Sequence, residues 1–333
     1  MVLLLSRFDC ILHDWTLARS FWFPRGAKPV RRKAFRASPV PAHNDVILFR
    51  VIPFLHIGSF SIPTFGLMVA CAMLSAYFVL RADLARRGIA AKNSGEAEAL
   101  ISFPCLAGFV GAKLYHLLES PAEFFADPVH LLFSPYGFAW FGGLLAGFAA
   151  FAFVAWRIVK HSAAAGHPVS PLTIFDAGSP AAALGYGIGR IGCLLSGDGD
   201  YGIPTSLPWG MSFPNGLVPT VERVHPTPIY ELIAACAIAW WLWNMGAPGH
   251  RTALAKERAS QQLLTDSDAF AASGRAPGEV FAAYLVLSGA ARFLVEFIRI
   301  NPRSFLGMSN AQSAAAVSVI TGSVLWAWLR RKE

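Results

Sequence analysis

Apolar residues in this chain gather into long runs separated by short polar stretches. Seven runs reach the roughly 20 residues that an apolar helix needs to cross a bilayer. They are 58–80, 98–118, 137–158, 173–195, 227–246, 278–299 and 310–329. The pattern predicts an all-α polytopic membrane protein with about seven transmembrane helices. The connections after the first, third, fifth and seventh runs carry Arg81, Arg86, Arg87 and Lys92, then Arg157 and Lys160, then Arg251, Lys256, Arg258 and Arg275, then Arg330, Arg331 and Lys332. The opposite connections hold little basic charge besides Arg223 and Arg303. Lys and Arg are retained on the cytoplasmic side of a membrane, so this alternation puts the N-terminus outside and the C-terminus inside. The longest outside connection, 196–226, is rich in Gly and Pro without a period, and predicts a small irregular extracytoplasmic cap. Residues 247–277 are polar and rich in Ala, Ser and Gly, as expected of a cytoplasmic loop.

Residues 1–57 fit this scheme less well. Arg19, Arg25, Lys28, Arg31, Arg32, Lys33 and Arg36 form a basic tract that resists translocation, yet the topology places it outside. MVLLL followed by SRFDCIL is too short and too interrupted for a signal peptide. Either this is an extension lying at the membrane surface or translation starts nearer the first run; the second is favoured, and the segment is assigned no function. Residues 58–333 then read as one membrane domain.

Composition supports the membrane reading. Of the 333 residues, 55% are hydrophobic and 14% charged, against about a quarter charged in a soluble domain. The net charge of +8 suits nucleic acid or anionic lipid in principle. Beyond the N-terminal tract its gathering in alternate connections assigns it to bilayer topology, and no nucleic-acid partner is expected. Cys10, Cys71, Cys105, Cys193 and Cys236 are scattered, with no CxxC, so neither a metal site nor a disulfide framework is expected.

Ionisable residues inside membrane runs are costly and point to function. Lys113, Arg190 and Arg292 each lie toward the outer end of a different run, and three cations at similar depth suggest one anionic ligand. Snorkelling to the interface is the plainer alternative for each. Arg292 and Glu296 are spaced i, i+4 and share a helix face. Asp176 lies almost four turns before Arg190 and cannot be its direct partner. Asp198 and Asp200 follow Arg190 in SGDGDYG, whose glycines permit close backbone approach to a ligand. His225, Tyr230 and Glu231 fall in HPTPIYE, where the prolines read as a helix start. Gly142 and Gly143 in GFAWFGGLLAGF allow close approach of a helix or a lipid chain, helix packing being the main reading. A cationic, acid-flanked cavity of this kind suits a phospholipid head group, since arginine forks bind phosphate bidentately.

At these residues the chain resembles the bacterial prolipoprotein diacylglyceryl transferases. GRIGC, DYGIPTSLPWGMSFPNG and HPTPIYE occur in the family's order, ARFLVEFIR matches its Arg-Phe-x-x-Glu-Phe helix, and Asp176 stands where the family has an Asp. GLM at 66–68 and WFGGLLAG at 140–147 match more weakly. The resemblance implies an inner-membrane enzyme, needing no cofactor, whose partners are membrane lipid, phosphatidylglycerol and the lipobox peptide of a preprolipoprotein. Residues and resemblance together give a catalytic set of Arg190, Arg292, Glu296, Asp198 and Asp200, with His116 added as a candidate base, and a substrate-binding set of Lys113, Gly142, Gly143, Gly189, Gly192, Gly202, His225, Tyr230 and Glu231.

Departures from the family pattern leave two readings. Phe141 replaces the family's histidine in His-Gly-Gly, Phe65 a tyrosine, Cys193 the asparagine of GRIGN, Ser288 a tyrosine, and Lys113 an arginine. On one reading another base serves, with His116 or His225 as candidates because imidazole titrates near neutrality. On the other the chain keeps the lipid site and has lost or changed the transfer chemistry. A transporter is a third reading, but no inverted repeat supports it.

Overall fold

The computed structural model describes residues 47–48, 51–58, 60–87, 89, 95–119, 121–134, 139–164, 169–247, 276–301, 303 and 307–331. The described residues belong to one compact unit. The basic N-terminal tract and most of the expected loop at 247–277 lie outside the described residues.

Among the described residues, seven helices have seventeen residues or more. They are α1 (Thr64–Arg86), α2 (Glu96–Glu119), α5 (Trp140–Ala164), α6 (Pro171–Ser196), α7 (Thr227–Met245), α8 (Glu279–Val295) and α9 (Asn310–Arg330). The short α3 (Pro121–Ala126) and α4 (Pro128–Phe133) follow α2. Four helices, α1, α2, α5 and α9, are long and apolar enough by length and composition to cross a membrane.

The chain is predominantly helical, as expected, with a few short strands added. Strands β2 (Phe54–Ile57) and β3 (Phe60–Pro63) form a hairpin, pairing Phe54 with Pro63 and Ile57 with Phe60. The first helix therefore starts at Thr64 rather than at 58. A second sheet joins β1 (Ile47–Leu48), β4 (Met211–Phe213) and β5 (Thr220–Val224) in the order β1-β4-β5. The cap expected to be irregular is thus built on strands, and residues before 58 contribute one of them. Val51, Tyr201, Phe213 and Val224 are buried together beneath it, with the Tyr201 and Phe213 rings stacked at 4.8 Å.

The sequence explains the helix limits. Ser170 and Pro171 open α6, and Pro226 and Pro228 open α7, since proline has no N–H to lose in a first turn. Gly197 closes α6 at φ +59°, and a side chain there would also run into Gly216. Ser309 begins α9 with a capping box. The sixth run was expected to be helical to residue 299, but α8 ends at Val295 and the next residues turn.

Packing is strongest at the end away from the cap. Leu80, Leu84, Leu100, Val154 and Ile174 form a buried core between α1, α2, α5 and α6. Ala183, Ala239, Leu242, Val280 and Ala283 join α6, α7 and α8. Asp176 accepts the backbone N–H groups of Gly278 and Phe281, both at 2.8 Å. A side chain of α6 thereby satisfies orphan donors at the start of α8. Asp83, Arg86 and Arg87 pair near Asp176 at this end, and the larger charged cluster lies at the other end, under the cap.

Candidate functional site

Glycine shapes the turn that follows α6. Gly199 has φ +92° and faces Val218, a backbone conformation that disfavours a side chain. The chain then runs as an extended segment between two others. Gly202 N donates to His225 O at 2.9 Å, Ile203 N to Ile298 O at 2.8 Å, and Thr205 N to Arg223 O at 2.8 Å. This threading carries Asp200 across to the residues just after α8. Thr227 also holds it there, donating its hydroxyl to the Asp200 carbonyl at 2.5 Å.

Three arginines and three carboxylates meet at this point. Asp200 bridges Arg190 and Arg299, one oxygen to each. Glu231, in the first turns of α7, reaches all three arginines. It lies 2.6 Å from Arg292 Nη1 and 3.4 Å from both Arg190 Nε and Arg299 Nη1. Glu296 Oε2 sits 3.0 Å from Arg292 and 3.5 Å from Arg299. Tyr186 donates its hydroxyl to Glu231 at 2.6 Å, and the Arg190 guanidinium lies 4.7 Å over its ring.

Burial grades the members of the cluster. The Glu231 and Glu296 side chains are 3% and 1% exposed, Arg299 6%, Arg190 17%, Arg292 24% and Asp200 30%. Arg299, Glu231 and Glu296 therefore form the foundation, while Arg190, Arg292 and Asp200 face the open side. Breaking such a buried set by removing one partner costs about 3–5 kcal/mol. Burial alone would raise the Asp200 carboxyl, but the Arg299 and Arg190 charges outweigh it and hold it below the usual aspartate range. Asp198 goes the other way: burial, and then the nearby Asp200 charge, raise it. Burial pushes the Tyr201 phenol up to about 12, helped by the Asp198 charge.

The expected site residues divide accordingly. Arg190, Arg292, Glu296, Asp200 and Glu231 come together. The proposed phosphate position on Arg190 is occupied here by Asp200, so among the described residues the cluster is charge-balanced rather than cationic. The third arginine is Arg299, not Lys113, whose ammonium donates to the Ser134 carbonyl at 2.9 Å. Arg299 was not singled out from sequence, although its place three residues after Glu296 and seven after Arg292 offered the signal: two turns on one face. Asp198 accepts the Asp200 N–H at 3.1 Å and stands beside the cluster. His225 Nδ1 lies 3.2 Å from the Tyr230 hydroxyl, which also receives the Trp209 indole N–H at 2.7 Å. His116 is half-buried on α2.

Four of the five expected glycines, Gly142, Gly143, Gly192 and Gly202, meet neighbouring atoms closely. A side chain at Gly142 would collide with Gly111 O and Tyr115, and Gly143 faces Gly108 O at 3.3 Å, so both serve the crossing of α5 over α2. Gly192 packs on Phe65 and Met68 of α1, and Gly202 lies against Ile298 O and His225. Gly189 has open space where a side chain would stand.

One cluster has a donor set reminiscent of a metal site, with ligand atoms of Cys193, Asp198 and Asp200 all within 4.8 Å of one another. Both Asp200 oxygens already face guanidiniums, and Arg190 Nη1 lies 3.6 Å from Cys193 Sγ. Cations fill the place that an ion would take, so these residues do not fit a metal.

Comparison with known proteins agrees with the motifs in the cluster. The family model described as prolipoprotein diacylglyceryl transferase matches residues 53–328. A phosphatidylglycerol–prolipoprotein diacylglyceryl transferase of Geobacter sulfurreducens is 30% identical over 80% of this chain and 86% of its own length. Proteins of the same name from Bordetella bronchiseptica and Clostridium tetani are 28% and 26% identical, over 83% and 78% of this chain and 94% and 89% of theirs. The arginine–carboxylate cluster lies wholly inside the matched span, and the chain belongs to the prolipoprotein diacylglyceryl transferase family.

Proposed function

We propose that this chain transfers the diacylglyceryl group of phosphatidylglycerol to the lipobox cysteine of preprolipoproteins, in the inner membrane. The observation that carries the reading is the pair of part-exposed arginines, Arg190 and Arg292, fixed on a buried base of Glu231, Glu296 and Arg299. Such forks, held in place before the substrate arrives, stabilise phosphate charge as it develops. The topology that goes with it has seven spans, the N-terminus and the cap outside and the C-terminus in the cytoplasm. The family membership and four span-competent helices support a multi-pass arrangement.

The chemistry follows from the cluster. The lipid phosphate takes the place of Asp200 on Arg190, while Arg299 keeps Asp200 in reach. The cysteine sulfur, as thiolate, forms a C–S bond to the glyceryl carbon as the C–O bond to phosphate breaks, and glycerol phosphate leaves on the arginines. The thiol proton passes to Asp198. Its raised proton affinity suits an acceptor better than Asp200, which two arginines keep ionised. His116 and His225 remain the alternative bases.

The test is an assay in detergent with phosphatidylglycerol and a lipobox peptide, read by peptide mass. A gain of one diacylglyceryl group, lost in Arg190→Ala, is expected. Full transfer by Arg190→Ala would refute the reading. A second reading, a lipid-binding paralogue without transfer, is favoured by Phe141 in the family's histidine place. Its signature is phosphatidylglycerol binding that depends on Arg190, with no mass gain.

A further inference from the structure

We infer that Ser309 is a positioning residue for the arginine site, its hydroxyl holding one oxygen of Glu296 so that the other faces Arg292 and Arg299. The inference rests on the reading that these arginines bind the phosphate of phosphatidylglycerol.

Ser309 is 3% exposed and does two jobs with one hydroxyl. As the N-cap of α9 its oxygen accepts the Gln312 N–H at 3.1 Å, while Gln312 Oε1 accepts the Ser309 N–H at 3.1 Å. The same hydroxyl donates its proton to Glu296 Oε1 at 2.8 Å. Asn301 Nδ2 donates to that oxygen as well, at 2.5 Å. The two oxygens of Glu296 are thus sorted by partner. Oε1 takes two neutral donors, and Oε2 takes two cations, at 3.0 and 3.5 Å.

The sorting matters because guanidinium and carboxylate prefer a two-pronged pairing. A Glu296 free to turn both oxygens onto Arg292 would draw that guanidinium away from its open side, where the phosphate binds. Ser309 and Asn301 prevent this by occupying Oε1. The start of α9 is in this way tied to the end of α8, and helix capping and anion binding share one hydroxyl.

Three variants separate the capping job from the positioning job. Ser309→Ala loses both. Gln312→Ala loses half of the capping box and leaves the Ser309–Glu296 bond. Asn301→Ala removes the other donor to Oε1 and leaves the cap intact. A hydrogen bond to a charged group is worth enough that KM for phosphatidylglycerol should rise about tenfold in Ser309→Ala. It should rise in the same direction in Asn301→Ala, with kcat changed less than about twofold, the pattern of lost ground-state binding. Gln312→Ala should lower Tm without moving KM, and Ser309→Thr, which keeps the hydroxyl, should restore KM. Kd for phosphatidylglycerol in micelles, read by tryptophan fluorescence, should follow the same order. An unchanged KM and Kd in Ser309→Ala and Asn301→Ala would overturn the inference, as would an equal rise in Gln312→Ala or failure of Ser309→Thr to restore binding. A wild-type chain that moves no diacylglyceryl group while the Kd order holds would instead overturn the transfer reading and leave the role of Ser309 standing.

Discussion

Asp200 is the member of the cluster whose protonation has the clearest consequence. Its folded-state proton affinity is held down by Arg299 and Arg190 against the effect of burial. A carboxylate of this kind contributes stability above the ordinary aspartate range, and that contribution is lost as pH falls through the lowered value. Asp198 works with the opposite sign. Its raised affinity means that the ionised form costs stability near neutrality, and protonation on acidification relieves that cost. Thermal melts in detergent from pH 7 downward should therefore show Tm falling below about pH 4, the aspartate range. Asp200→Asn should start lower at pH 7 and lose most of the acid slope, whereas Asp198→Asn should be no less stable than the parent at pH 7. A steep acid slope surviving in Asp200→Asn would place the titrating group elsewhere. Glu231 shows why such residues resist piecemeal change, since one carboxylate faces three guanidiniums and a tyrosine hydroxyl.

Among the elements, the α2–α5 pair is joined through glycines rather than through large side chains. Gly108 and Gly111 of α2 meet Gly142 and Gly143 of α5 backbone to backbone. Gly142→Leu would drive a side chain into Gly111 O and Tyr115, and an overpacked crossing of this sort costs about 1–3 kcal/mol or more. The expected outcome is a lower Tm and less folded protein in detergent, with any folded fraction keeping its affinity for phosphatidylglycerol. A variant of normal Tm and weakened lipid affinity would return Gly142 to the substrate-binding role that the family resemblance implies. The start of α7 was legible in the residues because prolines act locally, as in HPTPIYE. The β2–β3 hairpin was not. Its residues are apolar enough to merge with the first membrane run, and only the pairing of 54–57 with 60–63 reveals strands.

At the scale of the whole molecule, the proposed orientation makes a direct prediction. With the native cysteines replaced, Leu217→Cys in the cap should react with an impermeant thiol reagent in intact cells. Arg331→Cys, at the end of α9, should react only after the membrane is opened. The reverse result would invert the topology. It would also put the arginine cluster on the cytoplasmic side.

The sequence by itself determined the helical runs, the basic alternation of their connections and the motif residues Arg190, Asp200, Glu231, Arg292 and Glu296. Hydropathy, local charge and short-range spacing are properties of neighbours along the chain. Only the tertiary structure decided which charges pair. Asp200 meets Arg299 across 99 positions and Arg292 meets Glu231 across 61. These contacts arise because the cap threads residues 200–205 between the segments at 223–225 and 298. Three arginines in a half-buried site must be neutralised on folding, and the fold meets that need with carboxylates drawn from three separate segments. For that reason Arg190, which by sequence alone waits for a phosphate, already has Asp200 and Glu231 beside it.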